Sequence, residues 1–356
     1  MWFFVPVGLC FLITLLITPI VKWFAVRIGA MDKPDERKVH HRWMPRMGGL
    51  AIYLSFMAGT MIFSTDLAGT WPILAGGTLI AIIGMWDDLF CLSPKVKFWG
   101  QIIAALIPVM NGVVISYITM PDDQIVHFGL WSIPITIFWI VGITNAINFI
   151  DGLDGLAAGV SSIALITIST LAFSLGAVDS GIFALLLLGS SLGFLIYNFY
   201  PAKIFMGDTG SLFIGYMISI LSITGLTKSA TVISLIIPII ILAIPIMDTF
   251  FAIIRRIHNG KPITAPDKYH LHHSLLRLGF SHRQAVLIIY LLSGLFSLAA
   301  IICTKATVWG ASLLIFLLLI LIELIVEVTG LISVNYRPLL KLFGAKRENI
   351  KHDGRP

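Results

Sequence analysis

Apolar residues fall in long runs separated by short polar stretches, and eleven of these runs read as membrane spans. They cover 2–22, 47–64, 71–86, 98–118, 131–147, 157–175, 182–199, 211–227, 231–253, 284–303 and 309–329. With the N-terminus placed outside, every Lys and Arg except Lys228 and Lys305 falls on the inner side. An error of one span would scatter that pattern from the error onward. The expected fold is all-α: a polytopic transmembrane helical bundle of about eleven helices, N-terminus outside and C-terminus cytoplasmic. It forms one integral membrane domain over 1–356. No basic segment precedes the first run and Lys22 follows it, so the run reads as a span and not as a cleaved signal peptide. Ser281 and Gln284 have the spacing of a capping box and mark the start of the tenth span.

Composition agrees with this reading. Hydrophobic residues make up 58% of the chain and charged residues 12%, where a soluble domain carries about 25% charged residues. No room remains for a large soluble domain. The net charge of +6 does not point to nucleic acid, because the basic residues sit in short loops on one side. Cys10, Cys91 and Cys303 are odd in number and lack any CxxC spacing; they read as free thiols.

The acids change the picture. Asp87 and Asp88 close span 3, Asp151 and Asp154 follow span 5, Asp208 precedes span 8, and Asp248 lies just inside span 9. All six fall at one depth on the cytoplasmic side. Each alone reads equally well as a polar helix end. As a group they need a cation, because a carboxylate in lipid costs a few kcal/mol. A hard divalent ion with oxygen ligands suits them: Mg²⁺, with Mn²⁺ as substitute.

Asn145, Asn148, Asp151 and Asp154 are three residues apart, so on a helix or helix end they can line one face. Amides there suit a nucleobase or sugar; carboxylates suit ribose hydroxyls or a metal. The polar turn from Phe205 to Ser211 opens an apolar helix, and helix N-termini favour phosphate. An aspartate at that place repels phosphate unless a metal intervenes, which makes Asp208 the first candidate for a direct metal ligand. Capping of the helix by Asp208 or Ser211 is the plainer reading, and the two are compatible.

His270, His272 and His273 follow Arg255, Arg256, Lys261 and Lys268. Without HExxH and with cationic neighbours, this loop suits a diphosphate or sugar better than a transition metal. A solvated basic loop accounts for several of the cations and less well for the histidines. Arg37, Lys38, His40, His41, Arg42 and Arg46 lead into span 2 and read either as topogenic or as phosphate-binding. Lys95 and Lys97 are either a topogenic pair or a hold on a lipid phosphate.

Taken in order, Pro-Arg-Met-Gly-Gly at 45–49, Asp-Asp at 87–88, the block 145–157, the block 197–211, the block 245–256 and His-Leu-His-His at 270–273 resemble the polyprenyl-phosphate N-acetylhexosamine-1-phosphate transferases. The resemblance covers almost the whole chain. It implies that Asp208 binds magnesium, and that Asp87 and Asp88 handle the polyprenyl phosphate, with a share in catalysis and in the metal site. It implies that Asn148, Asp151 and Asp154 belong to the nucleotide site and that Asn198 and Phe205 lie beside the uridine. His270, His272 and His273 would lie near the diphosphate and sugar. His-Leu-His-His, the eleventh span and Pro-Arg-Met-Gly-Gly lean toward the branch that uses UDP-N-acetylglucosamine, not UDP-N-acetylmuramoyl-pentapeptide.

The implied reaction moves N-acetylglucosamine-1-phosphate from UDP-N-acetylglucosamine to undecaprenyl phosphate at the cytoplasmic face of the cell membrane. UMP leaves, and an envelope polymer such as teichoic acid or O-antigen begins. A homodimer is compatible with this. Two other classes fit less well. An ion-coupled transporter would place acids near the midplane, in broken helices with repeat symmetry. A CDP-alcohol phosphotransferase would show a denser aspartate motif.

Overall fold

Lipid satisfies no backbone hydrogen bond, so an apolar run that enters it folds as a helix. The computed structural model describes residues 4–33, 43–64, 66–119, 124–226, 232–262, 267, 269–333 and 336–342. Arg37, Lys38, His40, His41, Arg42, Lys228 and Lys268 lie outside the described residues. In chain order the helices are α1 (Phe4–Ile28), α2 (Gly49–Phe63), α3 (Leu67–Phe90), α4 (Pro94–Met110), α5 (Ser132–Ile150), α6 (Leu156–Ser174) and α7 (Val178–Asn198). There follow α8 (Gly207–Leu226), α9 (Val232–Ile241), α10 (Ala243–His258), α11 (Leu271–Arg277), α12 (His282–Cys303), α13 (Val308–Thr329) and α14 (Pro338–Leu342).

Strands are minor. An antiparallel pair joins β1 (Met31–Asp32) to β2 (Met44–Pro45), with Met31 opposite Pro45. A second pair joins β3 (Tyr117–Thr119) to β4 (Ile125–His127), with Ile118 opposite Val126.

Among the described residues, eight helices are long and apolar enough to cross a membrane: α1, α3, α5 with the turn before it, α6, α7, α8, α12 and α13. The protein is an all-α, multi-pass membrane protein. Three of the expected spans differ in form. The run 47–64 gives α2, apolar but 15 residues long, which is about 22 Å against a hydrocarbon core of about 30 Å. The run 98–118 is helical only to Met110; Asn111 and a left-handed Gly112 end it, and the chain turns into β3. The run 231–253 is two helices, broken at Leu242. Pro245 has no N–H to offer the Ile241 carbonyl four residues back, which removes the bond that would join them. The capping box forms as expected: the Gln284 N–H reaches Ser281 Oγ at 3.4 Å, and the Ser281 N–H reaches Gln284 Oε1 at 2.8 Å.

The core is centred on α8, which packs against α2, α3, α5, α6 and α7. Its Phe213 meets Tyr53 edge-on at 5.3 Å and Phe56 at 5.6 Å. This packing brings the C-terminal ends of α3 and α5 and the N-terminal end of α8 to one end of the bundle.

Candidate active site

α3 runs one turn beyond its expected end, so Asp87 and Asp88 lie on its final helical turns. Asp88 is buried, and both of its oxygens are used by α8. Oδ1 accepts the Asp208 N–H at 2.9 Å; Oδ2 accepts the Thr209 N–H at 3.1 Å and the Thr209 hydroxyl at 2.6 Å. Asp88 thus does for α8 what an N-cap residue does, from a different helix. The approach requires Gly207, which is left-handed and where any Cβ would strike the Asp88 carboxylate.

Asp208 is the centre of the cluster. Its carboxylate accepts from the Lys97 ammonium and from Asn148 Nδ2 at 3.2 Å. Lys97 Nζ is also 3.4 Å from Asp87 Oδ2. Arg46 spans three acids: Asp32 at 3.5 Å, Asp88 at 3.3 Å and Asp208 at 3.7 Å. Burial opposes the Arg46 charge, but Asp88, Asp208, Asp32 and Asp87 outweigh it and hold the guanidinium pKa above its ordinary value.

The Pro-Arg-Met-Gly-Gly segment is placed by backbone pairing with the segment before α8. The Phe205 N–H donates to Pro45 O at 2.9 Å, and the Gly48 and Gly49 N–H groups donate to Phe205 O and Met206 O at 2.9 and 2.8 Å. Gly49 lies against the Gly210 backbone so closely that a Cβ there would overlap it.

The four residues expected on one face divide. Asn148 faces the cluster, donating to Asp208 and also to Ser211 Oγ at 2.8 Å. Among the described residues nothing donates a hydrogen bond to the Asp151 carboxylate. Its surroundings of protein, and then the charge on Asp208, push it up to about 8 against the pull of Arg46. Asn145 turns away: its amide donates to Gln101 Oε1 at 2.6 Å and to Val141 O at 2.8 Å. Asp154 accepts the Ala202 N–H at 2.9 Å. Past Asn148 the three-residue spacing fails because α5 stops at Ile150 and the turn to α6 passes through a left-handed Gly155; within α5, Asn145 is held by Gln101 of α4. Asn198, expected beside the nucleotide, spends its amide on the protein, accepting the Gly155 N–H at 3.0 Å and donating to Ile204 O at 3.1 Å. Phe205 is half-buried on the segment that pairs with Pro45.

Asp248 explains itself as a cap. Buried in α10, it meets His270 Nδ1 at 2.8 Å and the Leu271 N–H at 2.7 Å, which sets the start of α11. His272 is buried, parallel to His270 at 5.8 Å and 4.3 Å from the ring of His273, and its ring lies against Gly152. Among the described residues neither of its nitrogens has a hydrogen-bond partner. Burial, then the neighbouring His273, push it down to about 3, so it is neutral at pH 7. Burial also lowers His273.

Among the described residues no three His, Cys, Asp or Glu side chains surround a common point. What the site offers a cation is the pair Asp87 and Asp208, whose oxygens converge on the single ammonium of Lys97. Two carboxylates beside a helix N-terminus, completed by phosphate oxygens and water, match the way Mg²⁺ is held. Asp32, Thr209 and Gln101 also bind residues of this region; Thr209 lies within the block 197–211, while Asp32 and Gln101 belong to no motif of the sequence. For Gln101 a signal existed, an amide one turn inside an apolar run.

The sequence pattern of glycosyl transferase family 4 matches residues 70–226, a stretch that holds Asp87, Asp88, Lys97, Asn148, Asp151 and Asp208. The chain is 51% identical over 335 residues to a probable undecaprenyl-phosphate N-acetylglucosaminyl 1-phosphate transferase of Bacillus subtilis (strain 168), covering 93% of each protein. It is 38% identical to a decaprenyl-phosphate N-acetylglucosaminephosphotransferase of Mycolicibacterium smegmatis, over 81% of this chain and 79% of that one. It is 27% identical to an undecaprenyl-phosphate alpha-N-acetylglucosaminyl 1-phosphate transferase of Yersinia pestis, over 83% of each.

Proposed function

The chain belongs to glycosyl transferase family 4, and from that premise we propose that it transfers N-acetylglucosamine-1-phosphate from UDP-N-acetylglucosamine to undecaprenyl phosphate, releasing UMP. The product starts a lipid-linked envelope polymer of the teichoic acid or O-antigen kind. The names of the relatives favour N-acetylglucosamine over a muramoyl-pentapeptide donor. The observation that carries the reading is the convergence of Asp87, Asp208, Lys97 and Arg46 on the N-terminus of α8 at one end of a membrane bundle.

The site faces the cytoplasm in this reading, within eleven crossings and an outer N-terminus. Its support is the charge pattern: Arg27, Arg46, Lys97, Lys203, Arg255, Arg256 and Arg283 all belong to the end of the chain's spans that holds the acids. The donor enters from the aqueous side, while the isoprenoid tail of the acceptor stays in lipid and presents its phosphate to the same cluster.

Asp87 and Asp208 would hold Mg²⁺, with Mn²⁺ as substitute, and Lys97 would move from between them to a phosphate. The ion, when bound, neutralises phosphate charge and aligns donor with acceptor. Arg46 places a rigid fork beside Asp208 where a diphosphate oxygen can reach it. Asn148 fixes the Asp208 carboxylate through Oδ1, the oxygen that also faces Arg46. Asp88 is assigned to hold α8 in place, a role that leaves it no free oxygen for the metal. The acceptor phosphate is ionised near neutral pH, so its oxygen attacks the sugar-bearing phosphorus without a strong base. Asp151 and Phe205 are assigned to the nucleotide. Asp154 and Asn198 fix the backbone around it, and the ring of His272 against Gly152 brings the histidine loop to the donor.

The test is UMP release by the purified protein across several UDP-sugars with undecaprenyl phosphate present. Release with UDP-N-acetylglucosamine and formation of a lipid-linked sugar phosphate is the expected result. Flux of a solute into liposomes without any lipid-linked product would sink it.

A further inference from the structure

The turn between α5 and α6 is held from outside its own motif by α12. His282, the first residue of α12, accepts the Asp154 N–H on Nε2 at 3.0 Å. Tyr290, two turns along the same helix, donates its hydroxyl to Gly155 O at 2.5 Å. Acceptance at Nε2 makes His282 the neutral tautomer with its proton on Nδ1. The His282 ring lies over Tyr200 at 4.6 Å, on the loop whose Ala202 N–H reaches the Asp154 carboxylate. The Tyr290 ring occupies the space where a side chain at Gly159 would be. The Gly155 N–H goes to Asn198 Oδ1 at 3.0 Å.

The turn therefore has little freedom of its own to keep. A segment containing Gly152 and a left-handed Gly155 has many backbone alternatives. Here its N–H groups at 154 and 155 and its carbonyl at 155 each have a named side-chain partner, and two of those partners come from α12. The same turn carries Asp151 and lies against the ring of His272 at Gly152.

We propose that His282 and Tyr290 are positioning residues that set the donor-binding turn 151–155 from α12, and so set affinity for the UDP-sugar. This rests on the reading of that turn as part of the donor site. His282 lies inside the Ser281–Gln284 capping box, and neither residue belongs to the blocks that resemble the transferase family.

Initial rates of UMP release by the purified full-length protein test it, with UDP-N-acetylglucosamine and undecaprenyl phosphate varied separately. His282→Phe keeps a ring over Tyr200 and removes the acceptor. Tyr290→Phe keeps the ring beside Gly159 and removes the hydroxyl. His282→Gln offers an amide oxygen near the place of Nε2. Loss of one hydrogen bond predicts a donor KM raised about fivefold in each Phe variant, with kcat and the acceptor KM within about twofold of wild type. His282→Gln returns the donor KM toward wild type.

An unchanged donor KM in both Phe variants overturns the proposal, as does a fall in kcat and melting temperature with neither KM moved. Failure of His282→Gln to restore the donor KM overturns the part resting on His282. If His282→Phe is not recovered folded, Tyr290→Phe decides alone. Failure of the underlying reading looks different: wild-type protein would release no UMP from any UDP-sugar, or Asp151→Asn would leave the donor KM unchanged.

Discussion

The Asp88 carboxylate accepts the backbone N–H of Asp208 at 2.9 Å, across 120 positions of sequence. The two neighbours at 87 and 88 therefore face different tasks. Asp87→Asn is expected to leave the fold intact and to cut turnover by at least about 100-fold, because it removes one of two carboxylates proposed for the cation. Asp88→Asn is expected to lower stability as well, by about 1–3 kcal/mol, because the start of α8 loses a charged acceptor. Thermal melting in detergent beside UMP release separates the two; equal melting temperatures would refute the division.

The cation assignment has its own check. Chelation by EDTA should stop UMP release and added Mg²⁺ should restore it, with Mn²⁺ a weaker replacement. Asp208→Asn should lose at least about 100-fold in rate at saturating Mg²⁺. Undiminished release after chelation, or from the Asn variant, removes Asp208 from the metal site.

His272 gives a pH prediction for stability. Its folded pKa of about 3 lies below the ordinary histidine value, so the unfolded chain binds the proton more readily. The contribution is fully present above about pH 6.5 and is lost as pH falls toward 3, with a slope of at most about 1.4 kcal/mol per pH unit. Wild type should lose melting temperature faster than His272→Gln between pH 6.5 and 4.5. Parallel curves would show that His272 does not titrate as buried.

Orientation can be read from the chain's own thiols. Cys91 is exposed at the end of α3, beside Asp87 and Asp88, while Cys10 and Cys303 are buried. A membrane-impermeant maleimide should label inside-out vesicles and spare right-side-out ones, and Cys91→Ser should abolish the labelling. Labelling of right-side-out vesicles would invert the proposed topology.

Helices were the most legible part of the fold, because lipid leaves an apolar run no other backbone structure. The break at Leu242 was less so, since a count of apolar residues weighs Pro245 only by its polarity, and its effect is a missing N–H. The site was legible as a set of residues but not as a set of partners. Asp88, Asp154 and Asn198 carry the same chemistry as Asp87, Asp151 and Asn148, and only the fold shows that their polar atoms are spent on backbone groups. The partners of those groups lie far off in sequence, as with Arg46 and Asp208 or His282 and Asp154, where no periodicity relates them.

Among the described residues, α8 is the least hydropathic and the most enclosed of the eight helices able to cross a membrane, whereas α13 is the most hydropathic and the least enclosed. A segment entering the bilayer from the insertion machinery is judged by its hydrophobicity before it has neighbours. The helix that carries Asp208 in its first turn is thus the weakest candidate to insert unaided, and of the helices packed against it α2, α3, α5, α6 and α7 are made before it, while α9 follows it. Its place in the translation order lets an already inserted scaffold receive it, so biogenesis of this enzyme should fail first at α8 when an earlier span is disturbed.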